Sequence, residues 1–174
     1  GLVPDGFRDT MRDHGFYGYS VLQYEKDDQG AFQKPSDIPA QVLSCFATHD
    51  TPTLRGYETG RDIYWWEKLA WIDAQAADTL RQERAAEVGA FRGVTDFKSR
   101  IHCLLAQSNA SLVAVQLDDI LGVEDAQNLP GTIEQHPNWQ RKYDILLENL
   151  SADGQLRATA QLMNDAGRRN ADKG

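Results

Sequence analysis

A carboxylate and an imidazole stand side by side in Thr48-His49-Asp50-Thr51-Pro52-Thr53, just past a short, mostly apolar run from Val42 to Thr48. Loops converge on a rigid frame at the C-terminal end of a buried parallel strand, and catalytic groups gather there in β/α barrels. That position makes Asp50 and His49 the first candidates for chemistry. Ordinary turn chemistry accounts for an Asp before Thr-Pro equally well. Asp118 and Asp119 end a second apolar run, Ser111 to Leu117, in the same manner. They read either as a further acidic site or as a helix cap and solvated loop carboxylates. Asn128-Leu129-Pro130-Gly131 can present an amide and a closely approaching backbone to a ligand, or simply form a turn. Several aromatic residues, among them Tyr24, Trp66, Trp71 and Trp139, are candidates for stacking platforms, although aromatics at helical spacing usually serve a core.

Other chemistries find no footing. No pairing of His14, His102 or His136 with a carboxylate has metal-ligand spacing. There is no phosphate loop, dinucleotide fingerprint or Gly-x-Ser-x-Gly elbow. We therefore expect neither metal nor organic cofactor. Cys45 and Cys103 sit inside apolar segments and read as free thiols rather than a disulfide.

The elements that must position these residues follow from pattern. Residues 4–14 read as a short helix closed by Gly15, and residues 19–25 as a strand rich in aromatic and β-branched side chains. A polar loop with Pro35 and Pro39 leads to a second strand, 42–48. A long helix is expected over about 62–88, with Gly89 and Gly93 bracketing a break. A helix over 95–107, a third strand over 111–117, and helices over 138–150 and 153–166 complete the order. Buried strands alternating with helices predict an α/β fold. Its weak point is the 26–41 connection, since a parallel crossover normally uses a helix.

The 174 residues, 41% hydrophobic and 25% charged, suffice for one ordinary domain with its own core. A net charge of −8 repels phosphate backbones and anionic lipid, so neither nucleic acid nor membrane is an expected partner. A neutral ligand such as a sugar is compatible with it. No apolar run approaches the ~18 residues of a membrane helix, and Gly1-Leu2-Val3-Pro4 lacks the charged and apolar regions of a signal peptide. The expected location is the cytoplasm.

Five segments in order resemble the amylomaltase family of 4-α-glucanotransferases, glycoside hydrolase family 77. They are Leu2-Val3-Pro4-Asp5-Gly6-Phe7-Arg8, Tyr19 to Glu25, Ala47-Thr48-His49-Asp50-Thr51-Pro52-Thr53-Leu54-Arg55-Gly56-Tyr57, Val115 to Gly122, and Asn128-Leu129-Pro130-Gly131-Thr132 with His136-Pro137-Asn138-Trp139-Gln140-Arg141-Lys142. The third is the most specific; residues 62–95 and 152–174 resemble the family least. The resemblance implies a (β/α)8 TIM barrel of which this chain forms the C-terminal part, its strands being the last three. It implies transfer of α-1,4-glucan segments between maltooligosaccharides through a retaining double displacement. The family's aspartate nucleophile lies on an earlier strand, and its acid/base glutamate lies in a Glu-Asp-Leu-Gly segment whose final glycine Gly1 resembles. On this basis the missing N-terminal part of the barrel is the partner this chain requires, and the chain alone is expected to be inactive, with exposed edge strands and poor solubility. Asp50 becomes the third catalytic carboxylate and His49 a ligand of the same sugar. Tyr24, where some members have Phe, and Asp27 (or its neighbour Asp28) fall near acceptor subsites; Asn128 approaches bound sugar; Asp119 matches a strand-end acid that binds substrate or orients neighbours. Two further readings stand beside this one: an α-amylase-type hydrolase, which also places a His-Asp pair after a barrel strand, and a carbohydrate-binding module without catalysis.

Overall fold

The computed structural model describes residues 3–168. Three parallel strands, β1 (Gly18–Val21), β2 (Val42–Cys45) and β3 (Leu112–Val113), lie in the order β1-β2-β3. Around them run α1 (Phe7–Asp13), α2 (Leu54–Thr59), α3 (Arg61–Lys68), α4 (Ala74–Arg92), α5 (Phe97–Gln107), α6 (Leu117–Leu121), α7 (Leu147–Leu150) and α8 (Gly154–Asp165). The mixed α/β class and the parallel sheet agree with the sequence reading.

Four helices begin on side-chain caps: Thr53 accepts from the Gly56 N–H, Asp73 from Ala76, Asp96 from Ser99 and Asp153 from Leu156. Each cap satisfies one of the N–H groups a helix start leaves unpaired. The core lies between the sheet and α2, α4 and α5. Leu22, Val42 and Phe46 from the strand ends meet Leu54, Tyr57, Val88, Phe97, Ile101 and Leu105 there. Its centre is aromatic: Tyr57 stacks on Phe97 at 5.9 Å and 8°, and Phe46 and Phe91 meet Phe97 edge-on.

The 26–41 connection crosses without an α-helix. It carries one short 3-10 turn, Pro35–Asp37, and folds back on itself through a bridge between Lys26 and Phe32. Phe32 and Ile38, 6% and 1% exposed, fill the space a crossover helix would occupy. A well-plugged loop thus does a helix's work of covering the sheet.

Three expectations need correction. The long helix over 62–88 is two helices. Ala70 takes a left-handed φ of 55°, its N–H donates to the Glu67 carbonyl and the Trp71 N–H donates to that of Trp66. This double bond pattern ends α3 before Asp73 caps α4. Gly89 lies inside α4, and only Gly93 closes it. The third strand pairs over two residues rather than seven, because Leu117–Leu121 coils into α6 with both aspartates in its first turn, where the helix dipole favours them. The helix over 138–150 shrinks to Leu147–Leu150. Its apolar stripe finds nothing to cover, with Leu146 and Leu147 68% and 80% exposed. Trp139 at φ 59° and the side chains of Arg141 and Tyr143 tie the segment across the neighbouring loop instead. Both cysteines are free thiols; Cys45 is buried and Cys103 only partly so.

Candidate functional site

β2 delivers its chain to a tight turn. The Thr48 N–H donates to the Thr51 hydroxyl (2.8 Å), and the Asp50 N–H to the Thr48 hydroxyl (3.2 Å). With the two threonines fastening the turn, the side chains of His49 and Asp50 stand out, 58% and 43% exposed. His49 Nε2 lies 3.3 Å from Asp50 Oδ1.

Asn128 is fixed to this turn from 78 residues away. Its Nδ2 donates to Asp50 Oδ1 at 2.7 Å, and its backbone N–H donates to the His49 carbonyl at 3.0 Å. The amide leaves Asp50 Oδ2 directed to solvent, as the hydrogen bonds to this carboxylate fall on Oδ1 among the described residues. An exposed carboxylate oxygen with its partner oxygen clamped is suited to accept hydroxyl protons in a fixed direction.

Behind Asn128 stands a polar frame that the sequence reading did not single out. Asn138 Oδ1 accepts from the Leu129 N–H (2.9 Å) and from His136 Nδ1 (2.6 Å), while its Nδ2 donates to the Thr132 carbonyl and hydroxyl. His136 is 1% exposed and meets the Trp65 ring edge-on at 4.8 Å; burial lowers its pKa, with the Asn138 bond opposing. Trp65 Nε1 donates to Asp125 Oδ1 (2.8 Å), and Asp125 also pairs with Arg61 (2.6 Å) and Arg141 (3.3 Å). Burial pushes the Asp125 pKa up, but the Arg61 and Trp65 bonds outweigh it and hold the carboxyl below its ordinary range. The one local clue lay in the His-Pro-Asn-Trp run, where an amide two residues from a histidine can close a side-chain bridge.

α2 docks on the same frame. Thr53 Oγ1 donates to the Val123 carbonyl (2.6 Å), and a Cβ on Gly56 would lie 2.2 Å from the Glu124 carbonyl. Glycine is therefore required at position 56 for this approach.

Asp119 sits beneath the site rather than in it. It is 2% exposed and accepts the Leu54 N–H at 2.7 Å, fastening the start of α2. Burial pushes its pKa up to about 7, against the pull of the Leu54 N–H and with the help of neighbouring Asp118. Asp118 accepts from Gln127 Nε2 (2.7 Å) and from the Tyr143 hydroxyl (3.3 Å), so it too orders loops around Asn128.

Tyr24 and Asp27 belong to the loop after β1. Tyr24 is 71% exposed. Asp27 Oδ1 accepts from the Gln29 and Ala31 N–H groups, both at 2.9 Å, within its own turn. Lys26 anchors that turn through the Tyr57 hydroxyl (3.0 Å) and Glu87 (2.7 Å). The two strand-end loops touch where Gln23 Nε2 donates to the Pro52 carbonyl (2.7 Å). The structure thus brings together His49, Asp50 and Asn128, joins Asp119 to them through α2, and sets Tyr24 and Asp27 on the adjacent loop. Trp139 completes the exposed surface, its ring 5.2 Å from that of His49. Among the described residues no group of three or more His, Cys, Asp or Glu side chains could hold a metal ion, and no helix is long and apolar enough to cross a membrane.

The sequence profile of the 4-alpha-glucanotransferase family matches residues 1–148. The chain belongs to this family. A 4-alpha-glucanotransferase of Haemophilus influenzae is 28% identical over 163 residues, covering 82% of this chain and 23% of its own length. One of Mycobacterium bovis is 29% identical over 193 aligned positions, covering 95% and 26%. The chain therefore spans about a quarter of the length of the curated glucanotransferases it matches. In fold it is similar to the crystal structure of amylomaltase from Corynebacterium glutamicum, with a TM-score of 0.78 at 23% identity over 94% of this chain and 27% of that one. It is also similar to amylomaltase from Streptococcus agalactiae in complex with acarbose, at 0.67 and 15% over 98% and 31%.

Proposed function

We propose that this chain is the C-terminal part of the catalytic (β/α)8 barrel of a 4-α-glucanotransferase, contributing the last three strands. The enzyme would move α-1,4-glucan segments from a donor maltooligosaccharide to an acceptor sugar in the cytoplasm. Three features support the barrel assignment: a parallel sheet with two open edges, helices on one face, and a bare opposite face. Tyr19, Leu43 and Leu112 align in register across that face, with Tyr19 and Leu112 56% and 50% exposed. Open edges and an uncovered apolar row are what a closed barrel removes.

The observation that carries the reaction is Asp50: a half-exposed carboxylate past a parallel strand, one oxygen fixed by Asn128 and the other free. In a retaining transfer one carboxyl attacks the anomeric carbon while another protonates the leaving oxygen and later deprotonates the acceptor hydroxyl. Those two groups fall to the remainder of the barrel, so the chain alone would be inactive. Asp50 would hold hydroxyls of the sugar at the point of cleavage, with His49 beside it. Bonds that tighten as the ring flattens lower the barrier, whereas equal binding of ground and transition states does not. Asn128 would direct Asp50, Asp119 would hold α2 in place behind it, and Tyr24, on a turn shaped by Asp27, would face the acceptor. Water and an acceptor hydroxyl compete for the covalent glycosyl-enzyme, and a covered site favours the acceptor.

The test uses the full-length enzyme with maltotriose. Wild type should yield a ladder of longer and shorter oligosaccharides, and Asp50→Asn, still folded, should yield it about 10²–10³ times more slowly. Release of reducing ends without a ladder would point to hydrolysis instead, and no product at all from wild type would remove the transferase reading.

A further inference from the structure

A cavity of about 230 Å³ opens beside the turn that carries Asp50, between the 128–130 segment and the end of α3. Pockets for drug-sized ligands run to roughly 300–1,000 Å³, so this one suits a single sugar ring. Asp50 and Asn128 stand on its rim, and Trp66 and Trp71 form its wall. The charged groups on the wall are already paired: Arg61 with Asp125, and Asp62 with Arg84 at 3.1 Å. What remains for a ligand is indole surface and the polar rim, which selects a neutral molecule with an apolar face and hydroxyls at its edge.

The backbone holds Trp71 in place at some cost. Ala70, just before it, adopts φ 55°, where glycine is the usual residue. The indole lies against the Asn128 turn, since a Cβ on Gly131 would sit 3.5 Å from its six-membered ring. Even so, Trp71 is 47% exposed. A tryptophan fixed by a left-handed non-glycine residue yet left half bare is ordered without being used as core.

We infer that this cavity is a subsite for one neutral hexose unit of the glucan, stacked on Trp71 and bounded by Trp66. It rests on the reading of Asp50 as a sugar-binding carboxylate and extends the bound chain by one ring beyond it.

In the full-length enzyme, Trp71→Ala should raise KM for maltotriose about 3- to 10-fold, the range of one aromatic contact, while kcat moves far less. Trp71→Phe, which keeps a ring face, should recover most of the loss. An unchanged KM in both variants overturns the subsite, and so does a fall in kcat at constant KM, which marks a packing role. Should Trp71→Ala fail to fold, crystals of full-length Asp50→Asn soaked in maltoheptaose decide the matter. A hexose ring parallel to Trp71 within about 4 Å supports the proposal, and bound glucan with an empty cavity overturns it. The two readings separate cleanly. A slow Asp50→Asn beside a Trp71→Ala of normal KM removes only the subsite, and an Asp50→Asn as fast as wild type removes both.

Discussion

The loops after β1 and after β2 occupy equivalent places in one parallel sheet, and each carries an aspartate, but they use it in opposite ways. Asp27 folds back onto the N–H groups of Gln29 and Ala31, two and four residues on. Asp50 turns outward and is clamped by an amide 78 residues away. The first pattern is local turn chemistry, which any short polar segment can supply. The second requires two distant loops to be built for each other. Long-range fixation of an exposed charge therefore separates a working carboxylate from a structural one better than its position at a strand end does.

The largest effect on that distinction should come from the ion pair behind the β2 loop. Arg84 and Asp62, whose side chains are 14% and 6% exposed, join α4 to α3, and Arg84 also donates to the Tyr57 carbonyl. Arg84→Met leaves Asp62 charged and buried. The expected loss is about 3–5 kcal/mol in denaturant unfolding, with the activity of the surviving folded fraction nearly intact. Next comes Asn138→Ala, which unpairs His136, Leu129 and Thr132 together. It should cost about 1–3 kcal/mol and release the Asn128 turn, lowering kcat more than it raises KM. Asn128→Ala removes one charge-assisted bond from Asp50 and should slow kcat about tenfold with little change in stability. If Asn128→Ala were silent, long-range clamping would cease to distinguish the two loops.

Asp119 supplies a pH test. Its folded pKa of about 7 lies above the ordinary carboxylate value, so the folded state binds the proton more tightly than the unfolded chain does. Its contribution to stability is complete below about pH 4 and is lost as pH rises toward 7. Buried His102 works in the other direction: its pKa is lowered to about 4, so stability falls as pH drops from about 6.5 toward 4. Asp119→Asn retains an acceptor for the Leu54 N–H and removes the charge. The thermal midpoint of this variant should decline less between pH 5 and 8 than that of wild type; identical slopes would mean that Asp119 does not titrate there.

Much of this was legible in the sequence because it rests on local rules. The Val42 run followed by Thr48-His49-Asp50 marked both a buried strand and its functional end, and the segments around Asp50 and Asn128 pointed to the family. What could not be read was settled by partners far along the chain. The stripe from Ile63 to Leu80 has helical period throughout, and only the left-handed Ala70 and the Asp73 cap show that it breaks. Trp139 to Leu150 also has helical spacing, but Asp118 and the Ala126 carbonyl capture Tyr143 and Arg141 before a helix can form. Asp119 looked like one more strand-end acid, and its attachment to Leu54 emerges only when α2 and α6 are packed together.

The most direct test sets the two aspartates against each other. In the full-length enzyme, with maltotriose as donor and acceptor, Asp50→Asn should lower kcat about 10²–10³-fold. Asp27→Asn should change only the acceptor KM, by a factor of a few, through a loosened turn beneath Tyr24. Equal losses, or a larger one at Asp27, would contradict the account.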